Sequence, residues 1–182
     1  QISDTAYYYL IKENDFSSYG EDIQSRINLL YEANRDSLQS IVVYNNYGSL
    51  LAAEPVATQK ENLNVTEQGW FVQAMAEVEN MHFSTPHIQN LFDDNTFRYY
   101  WVISLSRAIE ITRDGKTELG VLLVDMDYSV ISRMLDQINV TENGQYYYLC
   151  DSSGEIIYHP RRIQISDKIS SENNEIAAGY KD

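Results

Sequence analysis

Two apolar runs joined by a polar turn that closes on glycine occur twice in this chain. Val42-Val43-Tyr44 and Leu50-Leu51 flank Asn45-Asn46-Tyr47-Gly48, and Tyr148-Leu149-Cys150 and Ile156-Ile157 flank Asp151-Ser152-Ser153-Gly154. Glycine supplies the positive φ that such a turn needs, and Asn, Asp and Ser favour the positions before it. Each copy is therefore expected to be a β-hairpin, and the repeat points to two similar modules in one chain. Elsewhere the spacing is helical. Ile23, Ile27, Leu30, Tyr31 and Leu38 predict an amphipathic helix from Glu21 to about Gln39. Thr66 to Asn80 reads as a second helix, with Trp70, Ala74 and Val78 on one face.

The stretch from His82 to Gln89 is short and holds Pro86, which suits an edge strand or an extended loop. From Phe97 to Glu110 the chain alternates, with Phe97, Tyr99, Trp101, Ile103 and Leu105 on one side of a long strand. Arg113-Asp114-Gly115-Lys116 is a further hairpin turn, and Leu119 to Met126 is apolar enough for a central strand. Asp127 stands where it can cap a third helix, whose inner face would be Tyr128, Ile131, Met134, Leu135 and Ile138. Consecutive strands joined by tight turns imply an antiparallel sheet flanked by helices, so the fold class is α+β.

The expected division is 1–37 as an N-terminal helical segment, 38–140 as a first module and 141–182 as the start of a second. The stretch beyond Tyr146 is shorter than the ~40 residues at which a domain begins to fold unaided. Either the second module is cut short or its start packs onto the first.

The charge balance narrows the partners. A formal net charge of −14 argues against nucleic acid and an anionic membrane surface, both of which need Lys and Arg. The longest aliphatic run, Val121 to Val124, falls far short of the ~20 residues of a spanning helix. Any membrane attachment is therefore expected through helices outside this stretch, and a chain beginning at Gln1 reads as a piece of something longer. Cys150 is the single cysteine and cannot form an internal disulfide; in a buried strand it would act as a small hydrophobe.

No catalytic constellation is present. The eight glycines are scattered rather than gathered into a phosphate loop, and there is neither a nucleophile elbow nor a His-Glu-x-x-His pair. His82 and His87, five apart across one strand, would point to opposite faces, so no metal site and no cofactor are expected. What does stand out is aromatic and polar density: Trp70, Phe71, His87, Gln89, Arg98, Tyr99, Tyr100 and Trp101 lie close together in sequence. Rings interspersed with hydrogen-bonding groups suit a small-molecule pocket.

An ordered series of motifs gives these features a family context. Gln68-Gly69-Trp70-Phe71 is followed by Ser84-Thr85-Pro86-His87, Val102-Ile103-Ser104-Leu105-Ser106-Arg107 and Gly120-Val121-Leu122-Leu123-Val124-Asp125-Met126. Asp151-Ser152-Ser153-Gly154-Glu155-Ile156-Ile157-Tyr158-His159-Pro160 closes it. From about Leu38 to Lys168 the series resembles the double Cache sensor domain of bacterial transmembrane receptors. The resemblance implies a long helix leading into two PAS-like modules, each with an antiparallel sheet, the membrane-distal one binding the ligand.

The wording from Val102 to Ile109 is most similar to domains attached to sensor histidine kinases; chemoreceptors and diguanylate cyclases carry related domains. In the amino-acid-binding version of the family an Arg stands two residues before the Trp, a Tyr after it, a Tyr-x-Asp after the Pro and an Asp on the late strand. Here Trp70 and Asp125 match, while Gln68, Phe71, His87 and Gln89 replace the others. Loss of the Arg removes a bidentate clamp on a ligand carboxylate and argues against a standard amino acid.

The resemblance thus implies an extracellular ligand-sensing domain of a membrane-anchored signalling protein, not an enzyme. Its implied ligand is a small polar molecule (a sugar, an organic acid or an amino-acid-like compound) held by Gln68, Trp70, Phe71, His87, Gln89, Tyr99, Trp101 and Asp125. The N-terminal helix would carry the signal toward the membrane, with a homodimer contact along it. Two other readings stay open: a module that senses a protein partner, and an enzyme built on the scattered carboxylates.

Overall fold

In the computed structural model, residues 15–17, 23–61, 63–93, 100–113, 115–139, 146–150 and 154–160 are described. Residues 1–14 of the expected N-terminal helical segment, the residues Asp94–Tyr99 and the turn at Asp151–Ser153 lie outside them. The elements run β1 (Asp15–Ser17), α1 (Ile23–Asn34), β2 (Leu38–Asn45), β3 (Leu50–Glu54), a 3-10 turn (Val65–Glu67) and α2 (Gly69–Ala76). They continue with β4 (Met81–Phe83), β5 (His87–Ile88), β6 (Trp101–Arg113), β7 (Lys116–Asp127), α3 (Tyr128–Ile138), β8 (Leu149–Cys150) and β9 (Ile156–Tyr158).

The main sheet has the order β1-β6-β7-β2-β3, with β4 and β5 both added along β6. Its pairings are antiparallel except β1 on β6, which is parallel. The expected centre is observed: β7 lies between β6 and β2, and Val121 to Met126 are all buried. Gly48 and Gly154 have φ of 76° and 88°, and both repeated segments form antiparallel hairpins, β2–β3 and β8–β9. Fold class and hairpin repeat are thus as expected, α+β around an antiparallel sheet.

Alternation along the strands divides the core in two. Ile41, Val43, Ile103, Leu105, Ile109, Ile111, Leu122 and Val124 form one face and meet Ile23 and Ile27 of α1, with Tyr128 and Ile131 of α3 against them. Val42, Tyr44, Val121 and Leu123 form the other and meet Phe71 and Ala74 of α2. The side chain of Asp127 caps α3 by accepting from the Ser129 N–H at 2.7 Å, as expected.

Four expectations need correction. The N-terminal helix is shorter than predicted: it ends at Asn34, whose amide bonds to the Leu30 carbonyl, and a turn closes with Ser37 N–H on Asn34 O. Leu38 fits the helical spacing, but it opens the β2 run that pairs with β7 and is buried there. The predicted second helix is split, because Gln68 is extended between the 3-10 turn and α2. On α3, Met134 and Ile138 are exposed rather than inward, since only its first turns lie over the core. Cys150 lies on β8 but is half-buried.

The second hairpin packs onto the first unit rather than standing apart. Ile157 joins the α1–α3 core, the Tyr158 hydroxyl donates to Asp136 of α3, and the Asn139 amide donates to the Tyr147 carbonyl at 2.9 Å. No helix among the described residues is long and apolar enough to cross a membrane.

Candidate functional site: a cavity between α2 and the sheet

The first turn of α2, the β4–β5 connection and β6 border an open cavity of about 310 Å³. Gln68, Gly69, Trp70 and Gln73 form one wall. The segment from His82 to His87 forms the second, and Ser104 and Ser106 are the floor. The floor is polar because of strand parity. Ile103 and Leu105 serve the α1 core, so Ser104 and Ser106 must face α2. The Ser106 hydroxyl donates to the Trp70 carbonyl at 3.0 Å and holds the helix start against the sheet. The Trp70 ring packs on Tyr44 and Phe71 at centroid separations of 5.6 and 5.8 Å.

Beneath the floor lies a row of polar side chains set by strand register. Ser40, Asp125 and Ser104 are direct cross-strand neighbours on β2, β7 and β6. Asp125 is only 1% exposed, and both of its oxygens are engaged: Ser104 donates to Oδ1 at 2.5 Å and Ser40 to Oδ2 at 3.2 Å. Burial pushes the Asp125 carboxyl above its ordinary range, opposed by the Ser104 hydrogen bond, the nearby His87 and the Ser40 hydrogen bond. Tyr44 is raised in turn, first by burial and then by Asp125.

His87 continues the row. Its Nε2 lies 3.3 Å from the Ser104 oxygen. With its single proton given to Asp125, Ser104 meets that nitrogen as an acceptor. Nδ1 lies 3.2 Å from Ser84 Oγ and 3.0 Å from the Thr85 carbonyl. Ser84 also accepts from the Ser104 N–H at 2.9 Å, so the β4–β5 connection is tied to the floor at two points.

Of the residues singled out in the sequence, Gln68, Trp70 and His87 line this cavity and Asp125 lies under it. Phe71 is buried behind Trp70 in the α2 core. Gln89 lines a smaller neighbouring cavity of about 150 Å³, with Ser40 and Tyr100. Trp101 falls on the other side: it pairs with Ile88, alternates with Val102 and is 53% exposed. Tyr99 and Arg98 lie outside the described residues. His82 and His87 do not point apart as expected; both line the cavity. Ser84 to Pro86 separate β4 from β5, and that break resets the alternation.

Sequence reasoning missed Ser40, Ser84, Ser104 and Ser106, although Ser104 and Ser106 carried a signal as paired hydroxyls alternating within an apolar strand. Among the described residues no cluster of three metal-binding side chains occurs.

The fold recurs in known proteins. Residues 3–181 match the family model of the Cache domain. No curated protein sequence matches the chain. The ligand-binding domain of the Pseudomonas fluorescens chemoreceptor CtaA, in complex with L-serine, has the same fold at a TM-score of 0.62 and 16% identity; the match covers 87% of this chain and 65% of that one. That of the Pseudomonas aeruginosa amino-acid chemoreceptor PctC, in complex with GABA, gives 0.61 at 14% identity, covering 93% and 75%. The sensory domain of the Campylobacter jejuni chemoreceptor Tlp3, with isoleucine bound, gives 0.54 at 17%, covering 82% and 55%. The chain thus spans about two thirds of the length of the first of these. With a family model matched over nearly its whole length and the sheet, helices and repeated hairpin in place, the chain belongs to the Cache domain family of sensor domains, in its double form.

Proposed function

We propose that this chain is the ligand-sensing part of a membrane-anchored bacterial receptor, lying outside the cytoplasmic membrane, and that it binds a small polar molecule in the cavity over Asp125. The carrying observation is the cavity itself: an aromatic wall at Trp70 faces a floor of hydroxyls backed by a fully bonded buried acid. That combination of apolar surface and few placed polar groups is what small-molecule sites require. Gln68, Trp70, His87 and Ser104 contact the ligand in this reading, Asp125 fixes Ser104 and His87, and the division at about residues 38–140 separates the ligand module from the second hairpin. The domain is a receptor rather than an enzyme.

For the output, the wording of β6 favours a sensor histidine kinase. A chemoreceptor is the second reading, favoured by the CtaA, PctC and Tlp3 domains, whose named ligands are small amino acids. Ligand binding can drive either output only by differing in affinity between two arrangements of the domain. A thermal-shift screen against sugars, organic acids and amino acids tests the proposal, because a ligand of the native state raises the melting temperature. A hit lost in Trp70→Ala supports the site; a hit that Trp70→Ala leaves unchanged moves it elsewhere.

A further inference from the structure

We infer that the ligand of this cavity is an uncharged, hydroxyl-rich molecule of about monosaccharide size, not a zwitterionic amino acid or an organic acid. The inference rests on the reading of the cavity as the ligand site and concerns the charge its walls can accept. Bringing an ion out of water is costly unless the site supplies an opposite charge or several hydrogen bonds to it. Among the described lining residues there is no Lys, Arg, Asp or Glu.

Three ionisable side chains stand at or under the walls. Asp125 and His87 are already committed, and His82 lines the cavity with a buried Nε2 that has no hydrogen-bond partner, a single neutral contact rather than a bidentate clamp. Asp125 is 1% exposed with both oxygens bonded to serines, so a ligand ammonium cannot reach it. His87 has Nδ1 against Ser84 and Thr85 and Nε2 against Ser104, so it offers a carboxylate no free N–H. The net charge of −14 opposes the approach of an anion further. What the walls do present is neutral and two-sided: the amides of Gln73 and Asn90 donate and accept, and the hydroxyls of Ser104 and Ser106, whose protons go to Asp125 and the Trp70 carbonyl, accept. Beside them the Trp70 ring gives a flat apolar surface. Adjacent hydroxyls on a ring whose C–H face stacks on an aromatic match that arrangement.

Isothermal titration of the purified chain with glucose, galactose, ribose and myo-inositol, against L-serine, GABA, L-isoleucine, succinate and pyruvate, tests this. The expected result is saturable binding by at least one neutral polyol. Its Kd should stay constant from low to high salt, since no Coulomb attraction is screened. Trp70→Ala should abolish it, and Asn90→Ala and Gln73→Ala should each weaken it by up to about tenfold, the worth of one neutral hydrogen bond. Gln73 and Asn90 are exposed, so those two variants keep the fold. Binding by an amino acid or acid instead, lost in Trp70→Ala, overturns the inference and leaves the site standing. No binding by any compound to a cooperatively folding chain overturns both.

Discussion

Ser104 and Asp125 face each other directly across β6 and β7, and the serine hydroxyl donates to the buried carboxyl at 2.5 Å. Ser104 also anchors the Ser84 side chain and meets His87, so one residue ties three elements to the cavity floor. Ser104→Ala leaves a buried carboxyl oxygen without its donor and should lower unfolding stability by about 2 kcal/mol. Ser40→Ala, which removes the longer 3.2 Å contact, should have the smaller effect. Urea denaturation of the two variants checks the order; equal stability of Ser104→Ala and wild type would contradict it.

The Asp125 carboxyl gives stability a particular pH dependence. Burial raises its folded-state value above the ordinary 3.8, so between that value and the folded one the native state holds the proton that the unfolded chain has lost. Its contribution is therefore fully present below about 3.8 and is lost as pH rises through the folded value. Asp125→Asn removes this dependence. The stability of wild type relative to Asp125→Asn should fall as pH is raised from about 4. Paired denaturation curves across acid to neutral pH measure the difference, and a flat or rising one refutes the assignment.

Gly120 is needed for close approach rather than for a turn. A Cβ there would lie against the Tyr44 carbonyl oxygen of β2 and the Ile111 side chain of β6. The Ile111 methyl can turn aside, but the backbone oxygen is fixed in the ladder. Gly120→Ala should cost about 2 kcal/mol, as overpacking does elsewhere. A reduced urea midpoint at unchanged slope is the expected readout.

The β8–β9 hairpin is fastened to α3 through Tyr158, which is 1% exposed and donates to Asp136. Tyr158→Phe removes that bond and should destabilise this contact by about 1 kcal/mol. Hydrogen exchange at Leu149 and Ile156–Tyr158 should accelerate while β6 and β7 stay protected. Acceleration of both together would mean that the hairpin and the main sheet open as one unit.

Much of this was legible from local chemistry. Gly48 and Gly154 mark hairpins because positive φ is rare for other residues, and the β6–β7 turn announced itself at Gly115. The end of α1 was not legible, because Leu38 satisfies helical spacing and strand burial equally well; only pairing with Met126 decides. The site was half legible. Trp70, His87 and Asp125 are residue types that stand out in a sequence, whereas Ser40 and Ser84 are common and matter only through tertiary register. Trp101 stood out as well, yet one position of strand parity sends it to the face away from Ser104.

That parity supplies the decisive experiment. The chain has two tryptophans, Trp70 on the cavity wall and Trp101 half-exposed on the opposite face. In Trp101→Phe, Trp70 is the sole tryptophan emitter. Titration of this variant with the compound that stabilises the wild-type chain should give a saturable change in Trp70 emission, with the Kd found by calorimetry. Undiminished calorimetric binding with no change in Trp70 emission would contradict a ligand site between α2 and the sheet.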